Sequence, residues 1–177
     1  MTDSTGDTIR IGVSACLLGE AVRYDGQSKP CAAVRELLAA RAELVGICPE
    51  VEVGMAVPRE AVDLFGEPET PRMVGAATGE DWTARMNAWA RGRVADLLAQ
   101  GIAGAVLKAR SPSCGIGDAA VHREAGGIPM PGDGLFALVL RRAAPGMPVV
   151  RDEDLVSENE VENFLERARS YAGGRSR

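Results

Sequence analysis

Several scarcities bound what this 177-residue chain does. Basic charge is in deficit: 20 lysines and arginines face 25 aspartates and glutamates, a formal net charge of −5. Duplex nucleic acid and anionic membrane both reward a basic face, so broad binding to either is excluded, while a local basic pocket is not. Long apolar runs are missing, and no window reaches the roughly 18 residues that a membrane span needs. Residues 1–8 are polar and acidic, and the apolar stretch 13–18 is too short for the core of a signal peptide. The expectation is a soluble, cytoplasmic protein. Aromatics make up only 4% of the residues, so the core has to be aliphatic and rich in alanine. Histidine occurs once, at His122. Neither a G-x-x-x-x-G-K-[ST] loop nor a strand-linked G-x-G-x-x-G is present, which argues against a nucleotide-binding module. No feature speaks to oligomeric state.

What is there in quantity is glycine, 21 residues, together with four cysteines. A domain of this length buries about 70% of the surface its unfolded chain exposes, so it needs no disulfide or structural metal to stay folded. In a reducing compartment, irregularly spaced cysteines read as metal ligands, catalytic thiols or core fillers.

Apolar patterning predicts alternating strands and helices. Buried strands are expected over 9–18, 44–48, 102–107 and 147–150. Helices are expected over 31–42, over 80–100 behind a capping box of Thr78 and Asp81, over 134–144, and over an acidic, solvated 155–171. Residues 62–65 and 72–74 suit a small hairpin, and 115–134 an irregular loop containing His122. This order predicts a small doubly wound α/β domain of the Rossmann or flavodoxin kind, with a mostly parallel sheet and helices on both faces. The domain is expected over 9–171, with 1–8 disordered and 172–177 frayed.

In such sheets ligands bind beyond the carboxyl ends of the strands. Cys16 ends the first strand, Cys48 ends the second, and Cys114 lies in the loop leaving the third. Adjacent parallel strands are about 4.8 Å apart, so thiolates from their ends converge without a local C-x-x-C motif. Cys31 follows Pro30 at a predicted helix start, where it reads as a small buried hydrophobe or a helix-start thiol. Glu50 stands two residues after Cys48, and Ser111 and Ser113 precede Cys114, which supplies groups for proton transfer and for orienting a substrate. Three converging thiolates suit a [4Fe-4S] cluster with one open iron. A zinc site on the same cysteines, completed by Cys31 or His122, is the alternative, and with it a non-enzymatic metal or redox sensor.

Four blocks carry a resemblance: Val13-Ser14-Ala15-Cys16-Leu17-Leu18-Gly19; Val22-Arg23-Tyr24-Asp25-Gly26; Cys48-Pro49-Glu50-Val51 with Gly54 and Pro58-Arg59; and residues 107–115, ending in Ser111-Pro112-Ser113-Cys114-Gly115. In this order they resemble the thiouracil desulfidase (TudS-like) family over nearly the whole chain. The resemblance implies an α/β domain, a [4Fe-4S] cluster on Cys16, Cys48 and Cys114, and removal of sulfur from a thiolated nucleobase or nucleoside such as 2-thiouracil. It implies roles for Glu50 and Ser111, with Ser113 the second candidate. Glu52, Val53 and residues 66–74 depart from the family pattern, which bears on substrate identity rather than on the cluster. Larger members acting on thiolated tRNA carry a further C-terminal domain, and the acidic balance here fits a small uncharged base better than a folded RNA. Arg23, Asp25, Lys108 and Arg110 are candidates to line the pocket, with Arg23 and Lys108 expected to bind substrate. Trp82 and Trp89 lie on a helical apolar stripe and are expected in the core rather than stacked on a base.

Overall fold

The computed structural model describes residues 8–124 and 126–175. The expected disordered start lies outside them except for Thr8, as do residues 176–177 of the expected frayed end. In chain order the elements are β1 (Arg10–Ser14), β2 (Glu43–Ile47), α1 (Pro49–Glu52), β3 (Val62–Phe65), β4 (Arg72–Gly75) and α2 (Thr83–Ala99). They continue with β5 (Ile102–Leu107), β6 (Ala119–His122), β7 (Met130–Gly132), α3 (Leu135–Ala143), β8 (Val149–Arg151) and α4 (Glu158–Arg175).

The expected parallel sheet is present in the order β2-β1-β5-β8. Every residue of β5 is buried, as is β1 after Arg10, which is why both read as unbroken apolar runs. Helices cover both faces. Phe164 and Leu165 of α4 meet Ile11, Val13 and Val106 on one side. Val94 and Leu97 of α2, with Phe136 and Leu140 of α3, meet Ile102 and Leu107 on the other. Trp82 and Trp89 lie against the cores, Trp89 with its ring 5.7 Å from that of Phe136, as expected from the stripe. No helix among the described residues is long and apolar enough to cross a membrane.

A second sheet, β4-β3-β6-β7, contains the expected hairpin, β3 paired antiparallel with β4, and extends it by two strands that were not expected. The segment read as an irregular loop contributes two of its strands, so His122 stands on β6, its ring 5.5 Å from that of Phe65. β6 pairs parallel with β3, and this sheet buries Leu64, Met73, Val121 and Leu135 beneath it. Local patterning could not show this, because β6 and β7 are short and gain their stability from pairing with distant partners; Pro131 is accommodated because β7 is an edge strand.

Other boundaries move for physical reasons. β1 stops at Ser14, and Ala15–Leu18 forms a turn of 3-10 helix closed by Gly19 at φ +99°. That turn is itself buried, so hydrophobicity does not mark the end of the strand. The helix expected over 31–42 is a six-residue π-helical turn, Ala33–Leu38, in which the Ala39 N–H reaches the Val34 carbonyl. The Thr78–Asp81 capping box does not form: the Thr78 hydroxyl donates to Glu60, while Asp81 accepts the Thr83 N–H. α4 continues past the expected end at 171 to Arg175.

Candidate active site

The strand order places β1 between β2 and β5, so the chain leaves β1 toward one side and the sheet continues on the other. This is the topological switch point, where the carboxyl edge of an α/β sheet opens a crevice. A cavity of about 380 Å³ sits there. Cys16, Cys48 and Cys114 line it together with Glu50, Ser111 and Ser113, and with Arg23, Lys108 and Arg110. Asp25 is not among the lining residues; its carboxylate accepts the Gln27 N–H within its own loop. Cys31 is not among them either and is half-buried against the α4-side core. All four cysteines are unpaired.

Each cysteine loop is held by backbone groups that would otherwise lack partners. Cys16 lies in the 3-10 turn, and its carbonyl accepts the N–H groups of Gly19 and Lys29, which folds the 20–29 loop back over the turn. Cys48 caps α1; its N–H donates to Glu52 Oε1 at 3.2 Å, and Glu52 Oε2 is fixed at 2.9 Å by Arg93 of α2. In the third loop, Ser111 Oγ accepts the N–H groups of Ser113 and Cys114 at 3.2 and 3.1 Å. The start of α3 has no side-chain cap, and its free N–H groups go to this loop instead: Leu135 donates to the Pro112 carbonyl and Phe136 to that of Ser113. The approach is so close that a Cβ on Gly134 would stand 2.4 Å from the Ser113 carbonyl carbon. Ser14, which is buried, joins β1 to β5 by accepting the Lys108 N–H at 2.9 Å.

The thiols resist ionisation in this setting. Burial, reinforced by the nearby Cys48, pushes Cys16 up to about 11. Burial also raises Cys48, against a hydrogen bond from the Val51 backbone, and raises Cys114. A bound cation reverses that preference, because metal binding takes the deprotonated form. Three soft sulfur donors suit a thiophilic metal. Among the described residues, no three His, Cys, Asp or Glu side chains are gathered closely enough for one ion. The completing ligands considered for zinc stand elsewhere, Cys31 in the core and His122 on β6. The donor set therefore fits a cluster.

Beside the thiols is a buried carboxylate. Glu50, in the single turn of α1, is 9% exposed. Its Oε1 accepts the Ser113 hydroxyl at 2.9 Å, and its Oε2 accepts Arg59 Nε at 2.8 Å. The structure thus separates the two serines. Ser113, 1% exposed, spends its proton on Glu50, while Ser111 uses its oxygen to hold the turn. Arg59 was not singled out in the sequence as a site residue, although it ends one of the quoted blocks. The available signal was Glu50 itself, since a buried carboxylate requires a partner.

Three other cavity cations are also paired. Arg23 lies 3.9 Å from Asp25, Lys108 lies 3.3 Å from Asp152, and Arg110 forms a fork with Glu153 at 2.7 and 2.5 Å. Arg110 stands at φ +59°, a conformation that costs a non-glycine residue about 1–3 kcal/mol. Lys29 is the one lining cation without an ion pair among the described residues. Tyr24, also missed in the sequence, is 45% exposed at the cavity and is the one aromatic among the described residues that line it.

The amino-acid sequence matches the 2-thiouracil desulfurase family over residues 11–152. Among solved structures, the [4Fe-4S]-dependent thiouracil desulfidase TudS is similar with a TM-score of 0.71 and 36% identity, covering 90% of this chain and 99% of that one. The uncharacterized protein YbbK of Bacillus subtilis (strain 168) is 29% identical over 158 residues, 86% of this chain and 98% of YbbK. With a match that runs from β1 past β8 and takes in all three cysteine loops, the chain belongs to the 2-thiouracil desulfurase family.

Proposed function

We propose that this protein is a [4Fe-4S]-dependent desulfidase that replaces the sulfur of a thiolated pyrimidine base, of the 2-thiouracil kind, with oxygen from water. The observation that carries this reading is the convergence of Cys16, Cys48 and Cys114 on one cavity that also holds the buried Glu50–Ser113 pair. The three thiolates would hold the cluster, leaving one iron without a protein ligand. When bound, the cluster supplies a soft Lewis acid for the substrate sulfur.

The protein's own groups do the rest. Water adds its oxygen to the ring carbon as the C–S bond breaks, so the products are the oxo base and hydrogen sulfide, with no net change in electrons. Glu50 takes the proton from the water, and Ser113 keeps the carboxylate aimed at the cavity. The Ser111 hydroxyl, whose oxygen is held by two backbone N–H groups, has its own proton to donate to the substrate. Tyr24 offers a ring on which a base stacks, and Arg23 and Lys108 meet its polar edge. Because Arg23, Lys108, Arg59 and Arg110 each face a carboxylate, and only Lys29 of the lining cations among the described residues does not, the cavity suits a substrate of little net charge, a base or a nucleoside.

Anaerobically purified protein tests this. It should be coloured, contain iron and acid-labile sulfide in equal amounts, and release sulfide from 2-thiouracil, an activity that Cys48→Ala abolishes. A colourless protein with stoichiometric zinc and no iron would contradict it.

A further inference from the structure

The carboxylate assigned to proton transfer is held by a residue that also fastens the rim of the cavity. Arg59 donates Nε to Glu50 Oε2 at 2.8 Å, Nη2 to the Val22 carbonyl at 2.9 Å and Nη1 to the Ala56 carbonyl at 3.2 Å. Its backbone N–H donates to the Tyr24 carbonyl at 2.9 Å. The Val22 carbonyl that it grips lies 3.8 Å from the Cys48 sulfur. The side chains of the Arg59–Glu50 pair are 8% and 12% exposed, against 63% and 44% for Arg110 and Glu153 at the rim. Exposed pairs contribute little, whereas removing one partner of a buried pair strands a charge, so this pair fixes geometry in a way the rim pairs do not. Between them Ser113 and Arg59 engage both oxygens of Glu50, which sets the plane of the carboxylate. Each guanidinium nitrogen of Arg59 serves a protein acceptor, and Nε, which has a single N–H, commits it to Glu50.

We propose that Arg59 is the positioning residue of this site: it holds the Glu50 carboxylate in the orientation from which it takes a proton in the cavity, and it pins residues 22–24 beside Cys48. The proposal rests on the proton-transfer role given to Glu50 above. It is tested by a double-mutant cycle in anaerobically reconstituted protein, using Arg59→Gln, Arg59→Lys, Glu50→Gln and the Arg59→Gln/Glu50→Gln pair. Iron content should match wild type in all of them. Arg59→Gln should lower kcat for 2-thiouracil by about 30- to 100-fold with KM within about threefold, and by less than about twofold when Glu50→Gln is already present. Arg59→Lys should fall between, since a lysine keeps the charge and loses the fork; it carries the same kcat-against-KM reading should Arg59→Gln fail to fold. In cluster-free protein, the loss of Tm on Arg59→Gln should shrink in the Glu50→Gln background. Losses that multiply in the pair, a raised KM with kcat retained, or equal Tm losses in both backgrounds would overturn the proposal. Glu50→Gln with wild-type kcat would overturn the role of Glu50 and this proposal with it. An inactive Glu50→Gln beside a fully active Arg59→Gln would overturn this proposal alone.

Discussion

On the wall of the cavity formed by the ends of β1, β2 and β5, burial raises all three thiols, Cys48 adds to the rise of Cys16 and Cys114, and no cation among the described residues is hydrogen-bonded to them. On the wall formed by α1, the 22–29 segment and the loop behind β5, every lining cation except Lys29 has an ion-pair partner among the described residues: Arg59 with Glu50, Lys108 with Asp152, Arg23 with Asp25, Arg110 with Glu153. The charged wall is complete as the chain folds. The thiol wall is the proposed donor set for the cluster, and burial favours its neutral form until a cation arrives. The two walls should therefore fail differently: damage to the first removes the metal, and damage to the second leaves the metal and removes the rate.

The largest expected effect sharpens this contrast from the charged side. Glu50→Gln should keep wild-type iron content and lose about 10²- to 10⁴-fold in kcat, the usual range for removing a general base. Sulfide release and iron assays on the same sample check both halves. Next, Gly134→Ala tests whether the thiol wall depends on the backbone that carries it. The new Cβ would meet backbone atoms of Ser113 and Cys114 that have no free rotamer to give way. A loss of about 2–3 kcal/mol in urea unfolding, with reduced iron retention, is expected although no ligand is touched. Ser113→Ala should be milder, about tenfold in kcat, and should add nothing when Glu50→Gln is present, because its hydroxyl proton goes to that carboxylate.

The smallest expected effect is one of pH on metal-free protein. Cys16 is raised from 9.0 to about 11 by burial, so the folded state holds that proton more tightly than the unfolded state does. The resulting stability is present below pH 9 and lost as the pH rises toward 11. Thermal unfolding of cluster-free protein should show that loss, and loaded protein, whose thiolates are already metal-bound, should not.

The parts of the molecule legible in the sequence were those encoded locally. β5 and β1 announce themselves as apolar runs because both their faces are covered, and Cys-Pro after β2 marks the end of a strand with little ambiguity. That local coding placed three cysteines at one edge. The second sheet was not legible, because β6 pairs with β3 across more than fifty intervening residues and Ala119-Ala120-Val121 carries little signal of its own. Arg59 escaped for a related reason: a sequence shows an arginine nine residues after a glutamate, whereas its importance lies in the burial of both. Asp25 shows the converse, a charged residue within a quoted block that stays off the cavity, its carboxylate accepting the Gln27 N–H and standing 3.9 Å from Arg23.

The division of the four cysteines is the centre of the account, and iron content measures it directly. Each cysteine should be replaced by alanine singly, reconstituted without oxygen, and assayed for iron per chain. Cys31→Ala should bind as much iron as wild type, while Cys16→Ala, Cys48→Ala and Cys114→Ala should each lose the cluster. Loss of iron in Cys31→Ala, or wild-type iron in any of the other three, would contradict it.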